Sequence, residues 1–355
     1  MSTNYPMEQP NVQSSLAENA TRVILNPVLA PNKNLRSDGK FKHYLFTSWP
    51  DHGVPKDYEA FENLLIAVME DIIKKLGTTV IHCSAGVGRT GTFYIALQIL
   101  IEQGYLPNQK LDATTIIKLI DYTPEFKELD DLFTTDNKKI NTESNNNNCN
   151  FEESLYNYQK ILYIGSKLIK ARQKRPHMVQ TFDQFKYLCG YFGIKTICKN
   201  SYYMKQVYEH INNTYHVNHK KTASCDGKVK NRYVNILPYA DNYVKLDKPY
   251  NSTDPCANYI NASEMDPIAG EFHVIATQCP TSNTFNDFKQ MMIEQEVKRI
   301  VMVTNFTEGE KQKCHEYIEN LIKNIYNKVQ SNNKLDYVLG EYKYNDLVEH
   351  DVSTS

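Results

Sequence analysis

The sequence predicts an α/β protein, and three stretches carry the prediction. Thr78 to His82 is a short run of β-branched and apolar residues, with the length and composition of a buried strand. A loop with Gly86 and Gly88 follows. Then Phe93, Ala96, Leu97, Leu100 and Ile101 recur on one helical face, with Gly104 as the expected C-cap. Ahead of the strand, Phe61, Leu64, Leu65, Val68, Met69 and Ile72 share one face of a helix expected from about Tyr58 to Leu76, closed by Gly77. Helix, strand, tight loop and helix in succession are parts of a layered α/β domain.

The other elements follow in chain order. Residues 1 to about 40 are polar, without a clear period, and read as a flexible arm with a short strand near Arg22 to Ile24. His43 to Trp49 alternates enough for a strand. The prolines, glycine and aspartate of Trp49 to Pro55 make a loop. Beyond the Phe93 helix, Leu111 to Ile120 has helical spacing, and residues 121–150 turn acidic and then Asn-rich, the composition of a disordered insertion. A helix resumes near Tyr156. By charge alone, KARQKR (Lys170 to Arg175) is a solvated basic face. Residues 193–227 are polar and Tyr-rich around an amphipathic helix at Met204 to His210. YINAS (Tyr259 to Ser263) and FHVIATQCP (Phe272 to Pro280) lead to an amphipathic helix around Phe285 to Glu296 and a strand at Arg299 to Phe306. Residues 319–355 read as a tail.

The chain has 355 residues, with 40 Lys+Arg against 41 Asp+Glu and a net charge of −1. That balance gives no reason to expect nucleic acid or a membrane surface as a partner. No apolar run approaches the length of a membrane span, and the polar N-terminus does not read as a signal peptide. The eight cysteines show neither paired spacing nor a CxxC metal pattern, which points to a reducing cytoplasm.

The loop after Thr78 to His82 carries the chemistry. Cys83 and Arg89 are separated by Ser84, Ala85, Gly86, Val87 and Gly88, and Thr90 and Gly91 follow. At a helix N-terminus such a loop turns backbone N–H groups toward an anion, and its glycines permit a close approach. Arg89 adds a guanidinium fork matched to phosphate oxygens. A cysteine in that field ionises readily, and the thiolate is the nucleophile. A lone cysteine is more often a small buried hydrophobe, but this one sits in a cradle for a dianion. The arrangement suits attack of sulfur on a phosphoryl group. A loop aspartate near such a centre could serve as a general acid, although on its own an aspartate after proline, as at Asp51, is usually a turn residue.

His82, Cys83, Gly86, Arg89, Thr90 and Gly91 together resemble the protein tyrosine phosphatase signature, His-Cys-x5-Arg-Ser/Thr-Gly. WPDHGVP, Trp49 to Pro55, resembles the mobile acid loop of that family and implies Asp51 as the acid. Lys167 to Phe192 resembles the family's segment ending in R-P-x-M-V-Q-T-x-x-Q-(Y/F). It implies Gln180 as the residue that positions the hydrolytic water, with Gln184 supporting it nearby. Val229 to Leu246 resembles the phosphotyrosine-recognition loop. It implies Tyr233 against the substrate ring and Asn235, where the family has Asp or Asn, on the peptide backbone. Thr307 to Tyr317 resembles the glutamate loop, which implies Glu308 orienting Arg89 and Lys313 near the acid loop. The phosphate is then expected on the amides of Ser84, Ala85, Gly86, Val87 and Gly88, with Thr90 donating to the sulfur and His82 tuning the thiolate. The resemblance implies no metal or other cofactor. It implies a phosphotyrosine phosphatase-like fold, a central mixed sheet flanked by helices with the signature loop at the C-terminal end of a strand.

The order of these blocks is swapped. Residues 41–192 carry what is normally the C-terminal half, with an insertion at about 107–166, and residues 228–318 carry the N-terminal half. Residues 193–227 would join them. Two readings are open. One is a single permuted domain, favoured because no motif is duplicated. The other is a fragment of a tandem array, each half needing its partner from a second chain. Departures from the family stand at Cys279, in place of the glycine of a T-Q-G-P turn, and at Ile318, in place of Trp. Strands between the glutamate and acid loops are hard to find in residues 319–355 and 1–40, which implies an incomplete sheet. The expected function is hydrolysis of phosphotyrosine in signalling proteins through a phosphocysteine intermediate. An inactive phosphotyrosine-binding protein is the alternative, disfavoured by the intact Asp51, Cys83, Arg89 and Gln180. A dual-specificity phosphatase is disfavoured by Tyr233 and the Trp49-Pro50-Asp51 loop.

Overall fold

A computed structural model of the chain describes residues 39–104, 123–143, 151–196, 198–215, 222–223, 225, 230–247, 254–331 and 336–349. Seven strands form the main sheet: β1 (Lys40–Leu45), β2 (Thr78–His82), β3 (Tyr243–Lys245), β4 (Tyr259–Glu264), β5 (Val274–Thr277), β6 (Val297–Met302) and β9 (Val338–Lys343). Their order is β3-β4-β5-β2-β6-β1-β9, and β7 (Thr307–Glu308) pairs with β8 (Lys311–Gln312) in a separate hairpin. The four central strands, β5, β2, β6 and β1, run parallel, while antiparallel β4, β3 and β9 complete the flanks. This is the expected mixed sheet. β2 comes from the first sequence block and lies between two strands of the second: Val80 pairs with Ile275 on one side and Ile300 on the other.

The helices are α1 (Tyr58–Lys74), α2 (Gly88–Glu102), α3 (Pro124–Glu143), α4 (Phe151–Lys174), α5 (Phe182–Tyr191), α6 (Cys198–Thr214), α7 (Phe285–Glu294) and α8 (Leu321–Ser331). Strand side chains alternate between two cores. Tyr44, Ile81 and Val301 enter the core that holds Leu64, Phe93, Ile161 and Val207. Phe41, Leu45, Val80, Ile300 and Met302 enter the other, with Phe288, Met291 and Tyr317. Each such side chain, fully buried, stabilises the fold by about 1.5–3 kcal/mol. α1 starts where the sequence expects, because Asp57 accepts hydrogen bonds from the amides of Glu59 and Ala60.

Other expectations change. α2 begins at Gly88, inside the predicted loop, and is buried on every side from Gly88 to Leu100. A helix enclosed all round keeps no polar face, so its periodicity misplaced its start. Residues 124–143, read as disordered, form α3, whose Phe126, Leu129 and Phe133 are buried at helical spacing. Average composition hid those three anchors. The Asn-rich run after α3, the helix at Leu111 to Ile120 and the strand near Arg22 to Ile24 lie outside the described residues. β1 ends at Leu45, and the chain then leaves the sheet for the acid loop. The KARQKR face is solvated only in part: Lys170 and Lys174 reach the surface, but Arg172 and Arg175 are 3% and 1% exposed, because backbone carbonyls receive both guanidinium groups. The residues read as a tail supply α8 and the edge strand β9.

The cysteines also depart from expectation. Cys225 is bonded to Cys256 and Cys279 to Cys314, with Cα–Cα distances of 5.6 and 5.4 Å. Partners 31 and 35 residues apart leave no local spacing signal, and the sheet brings them together. Among the described residues no helix is long and apolar enough to cross a membrane.

Candidate active site

β2 ends at His82, and the next residue, Cys83, opens a loop that closes into α2. Val87 is the N-cap and its carbonyl accepts the amide of Gly91. The first-turn amides of α2 therefore have no intrahelical acceptor and are free for an anion. Gly86 is in the left-handed region at φ 73°, and a Cβ there would lie 2.1 Å from the Thr277 carbonyl oxygen. Only glycine lets this loop turn so close to the end of β5.

The loop is clamped from behind by a residue that charge alone would leave in solvent. Arg175 donates from Nε to the Gly86 carbonyl at 2.8 Å and from Nη2 to the Ala85 carbonyl at 3.2 Å. It also donates to Ser263 Oγ at 3.0 Å and Asn261 Oδ1 at 2.8 Å. Pulling these carbonyls back is how the loop's amides are left facing the cavity. Its position just before Pro176, inside a motif already matched, was the available signal. Charge composition pointed the other way.

Cys83 is 4% exposed and its sulfur accepts the Gly86 amide at 3.2 Å. Burial alone would push the thiol pKa up. The Arg89 charge, the Thr90 hydroxyl and the amides of Thr90 and Gly86 outweigh it, so the thiol is held below its ordinary value. The Thr90 hydroxyl is fully buried and, among the described residues, has no oxygen or nitrogen partner. His82 is fully buried, with Nδ1 3.1 Å from the Cys83 carbonyl oxygen and Nε2 2.7 Å from the Tyr317 hydroxyl.

Arg89, 2% exposed, is fixed by three acceptors. Nη1 donates to the Trp49 carbonyl at 2.9 Å and to Glu308 Oε1 at 2.6 Å, and Nη2 donates to Asp51 Oδ1 at 2.9 Å. Glu308 sits on β7, so the hairpin orients the guanidinium. Lys313, just past β8, donates to Asp51 Oδ2. Burial would raise the Asp51 carboxyl, but the Lys313 hydrogen bond and the charges of Arg89 and Lys313 hold it below its ordinary range. The acid loop stands on a rigid base: Trp49 is fully buried against Phe61 at 5.4 Å and donates Nε1 to the Gly53 carbonyl at 2.9 Å.

Gln180 and Gln184 enter from the start of α5. Gln184 caps that helix, accepting the amides of Gln180 and Thr181, and its Nε2 reaches the Gly53 carbonyl at 3.3 Å. The Gln180 side chain makes no hydrogen bond among the described residues. On the opposite wall, Tyr233 OH lies 3.0 Å from Ser84 Oγ. The loop bearing it is held by Asn231 Oδ1, which accepts from Tyr259 OH at 2.7 Å and Asn261 Nδ2 at 2.9 Å, and by Gln278, which accepts the Arg232 amide at 2.8 Å.

These walls enclose a cavity of ≈ 580 Å³. Asp51, Cys83, Ser84, Ala85, Gly88, Arg89, Gln180, Gln184, Tyr233, Asn235 and Lys313 all line it. His82, Gly86, Val87, Thr90 and Glu308 stand behind those residues. His52, Ile236, Lys311 and Gln312 complete the lining and were not singled out in the sequence. Among the described residues one group, His82, Cys279 and Cys314, brings three metal-type donor atoms within 4.8 Å of one another. The sulfurs are bonded to each other and both His82 nitrogens are engaged, so it offers no free ligand set.

A buried thiol in an anion cradle, an arginine fork and a carboxylate on a separate loop are the parts of a cysteine-dependent phosphatase site. Comparison with known proteins agrees. The protein-tyrosine phosphatase family model matches residues 6–122 and 227–351. The chain is 28% identical over 301 residues to receptor-type tyrosine-protein phosphatase S of Gallus gallus, covering 78% of this chain and 16% of that protein. It is 28% identical over 314 residues to receptor-type tyrosine-protein phosphatase C of Homo sapiens, covering 83% and 22%. It is 26% identical over 303 residues to receptor-type tyrosine-protein phosphatase F of Mus musculus, covering 78% and 13%. The chain belongs to the protein-tyrosine phosphatase family, and it spans less than a quarter of the length of these relatives.

Proposed function

We propose that this chain hydrolyses phosphotyrosine in proteins through a phosphocysteine intermediate. One observation carries the reading: the motifs of both sequence blocks converge on one cavity, with Cys83, Arg89 and Asp51 facing Tyr233. The phosphate dianion sits on the loop amides and Arg89. Cys83 sulfur forms a bond to phosphorus as the P–O bond to tyrosine breaks, and Asp51 gives its proton to the leaving phenolate oxygen. Gln180, whose side chain is otherwise unengaged, holds the water that attacks the phosphocysteine. Asp51 takes that water's proton, and the thiolate leaves with help from Thr90. Tyr233 packs against the substrate ring, and Asn235 contacts the peptide backbone with one charge fewer than an aspartate would bring.

The domain organisation belongs to this proposal. A single domain with its two blocks in swapped order is supported by β2 lying between β5 and β6. The matches to the receptor-type relatives extend over 78–83% of the chain, longer than either block, so the same block order runs through those relatives. That favours a junction of two consecutive domains as the source of the order. The cytoplasm is our reading of the compartment, because Cys83 works only as a free thiol, which a reducing cytoplasm maintains; Cys279–Cys314, at 0% and 1% exposure, is shielded there, whereas the half-buried Cys225–Cys256 is open to reduction.

Steady-state hydrolysis of a phosphotyrosine peptide by the full chain tests the reading, beside Cys83→Ser and Tyr233→Ala. Turnover abolished in the first and weakened in the second is expected. A folded wild type that binds the peptide without turnover would point to a binding protein. Comparable turnover of a phosphoserine peptide would point to dual specificity.

A further inference from the structure

His43 lies on β1, with β6 between it and β2, and no step above uses it. It is 1% exposed, and its Nε2 is 2.7 Å from the Tyr317 hydroxyl. His82 Nε2 is 2.7 Å from the same hydroxyl, and His82 Nδ1 is 3.1 Å from the Cys83 carbonyl oxygen. Three side chains from three segments thus join β1 to the residue that bears the nucleophile.

The protons in this series follow by elimination. Burial pushes the pKa of His82 down to about 4, against the hydrogen bond to the Cys83 carbonyl, and that of His43 to about 3, so both rings are neutral. Burial keeps the Tyr317 phenol protonated. A carbonyl oxygen only accepts, so His82 Nδ1 carries the ring proton and Nε2 is bare. Tyr317 therefore donates to His82 Nε2. The Met302 sulfur, 3.8 Å from that hydroxyl, is a weak competitor. The hydroxyl then accepts from His43 Nε2–H. Every polar hydrogen points the same way, from β1 toward Cys83, and aligned hydrogen bonds of this kind strengthen one another.

We propose that His43, acting through Tyr317 and His82, positions the Cys83 backbone so that its sulfur meets the Gly86 amide, and thereby sets how readily that sulfur reacts as a nucleophile. His43 is a positioning residue and touches no substrate. The groups acting on the sulfur are Arg89, Thr90 and the Gly86 amide, with Arg175 behind the loop. The groups facing His43 are His82, Tyr317 and the Tyr342 ring, all uncharged near neutral pH. The influence of His43 therefore passes through hydrogen bonds and not through a field.

The inference rests on Cys83 being the nucleophile, but its test needs no phosphatase turnover. The rate of Cys83 alkylation by iodoacetate is followed against pH in the full chain, with Cys83→Ser as the blank. Tyr317→Phe and His43→Leu break the series. His43→Gln keeps an N–H donor in nearly the same place. The midpoint is expected to rise by roughly half to one pH unit in the first two and to return in His43→Gln. The double variant should rise no further than Tyr317→Phe alone. Midpoints equal to wild type, or equal for His43→Gln and His43→Leu, overturn the proposal. Thermal melting reads folding separately. Should His43→Leu fail to fold, a wild-type midpoint in Tyr317→Phe overturns it just as well. A chain without turnover but with these shifts would sink the catalytic reading and leave this one standing.

Discussion

The Asp51 carboxyl, assigned to protonate the leaving phenol, is ion-paired with Arg89 and Lys313 and held below its ordinary pKa. A phosphate dianion competes for Arg89 Nη2 and brings negative charge beside the carboxylate, and both effects raise that pKa toward the value an acid needs. The rate should fall at low pH as the Cys83 thiolate is protonated, and at high pH as Asp51 in the complex loses its proton. Asp51→Asn is expected to lower kcat by about 10²–10⁴-fold and to flatten the alkaline limb of the pH–rate profile, with peptide binding retained. Lys313→Ala removes a group that favours the charged carboxylate, so the alkaline limb should move to higher pH. An unmoved limb would show that Lys313 does not act on Asp51 during turnover. At this scale the site was legible. Cys83, Arg89 and Asp51 stand in short local motifs whose spacing is set by one loop each. Arg175 was not, because a buried arginine and a solvated one have the same sequence, and only the Ala85 and Gly86 carbonyls distinguish them.

At the level of elements, the loop from Cys83 to Gly88 owes its shape to two close approaches. Gly86 touches the end of β5, and at Gly91 a Cβ would lie 2.6 Å from the Val179 amide nitrogen. Val179 itself has φ 54°, a strained setting for a β-branched residue. It is held there by its amide bond to the Val87 carbonyl and by Arg172, which donates to its carbonyl at 3.0 Å. Gly91→Ala should push the Gln180 segment off α2 and cost about 1–3 kcal/mol, read as a lower melting temperature. Gly86→Ala combines positive φ with a backbone clash. It should abolish phosphopeptide binding even in a Cys83→Ser background, where chemistry is already gone. α3 shows the opposite limit: three buried apolar residues, Phe126, Leu129 and Phe133, suffice for a largely polar helix once α4 offers a face.

Over the whole molecule, β2 and β1 of the first block have no pairing with each other and stand on either side of β6 of the second, so the first block has no sheet of its own. Equilibrium unfolding in urea should be one cooperative transition by fluorescence and circular dichroism alike. Two separated transitions would contradict the interleaved sheet. Acid sensitivity should be marked. An unfolded histidine titrates near 6.5, whereas His43 and His82 are held at about 3 and about 4 by burial. Between about pH 6.5 and about 4 the unfolded chain binds more protons, so stability is full above that window and falls as pH drops. The slope is about 1.4 kcal/mol per pH unit for each histidine. Urea titrations at pH 7 and pH 5 measure it, and His43→Gln should remove about half of what this pair contributes.

The expected chemistry and most of the local elements can be read without a structure, because a C-x5-R loop, an acid-loop motif and amphipathic runs are written in neighbouring residues. The tertiary structure alone decided what depends on contacts between distant ones. It set β2 between β5 and β6, joined Cys279 to Cys314, buried Arg175 behind the phosphate loop and brought His43 to Tyr317. Those outcomes turn on which backbone groups and side chains meet across the sheet, and no short window of sequence records such a meeting.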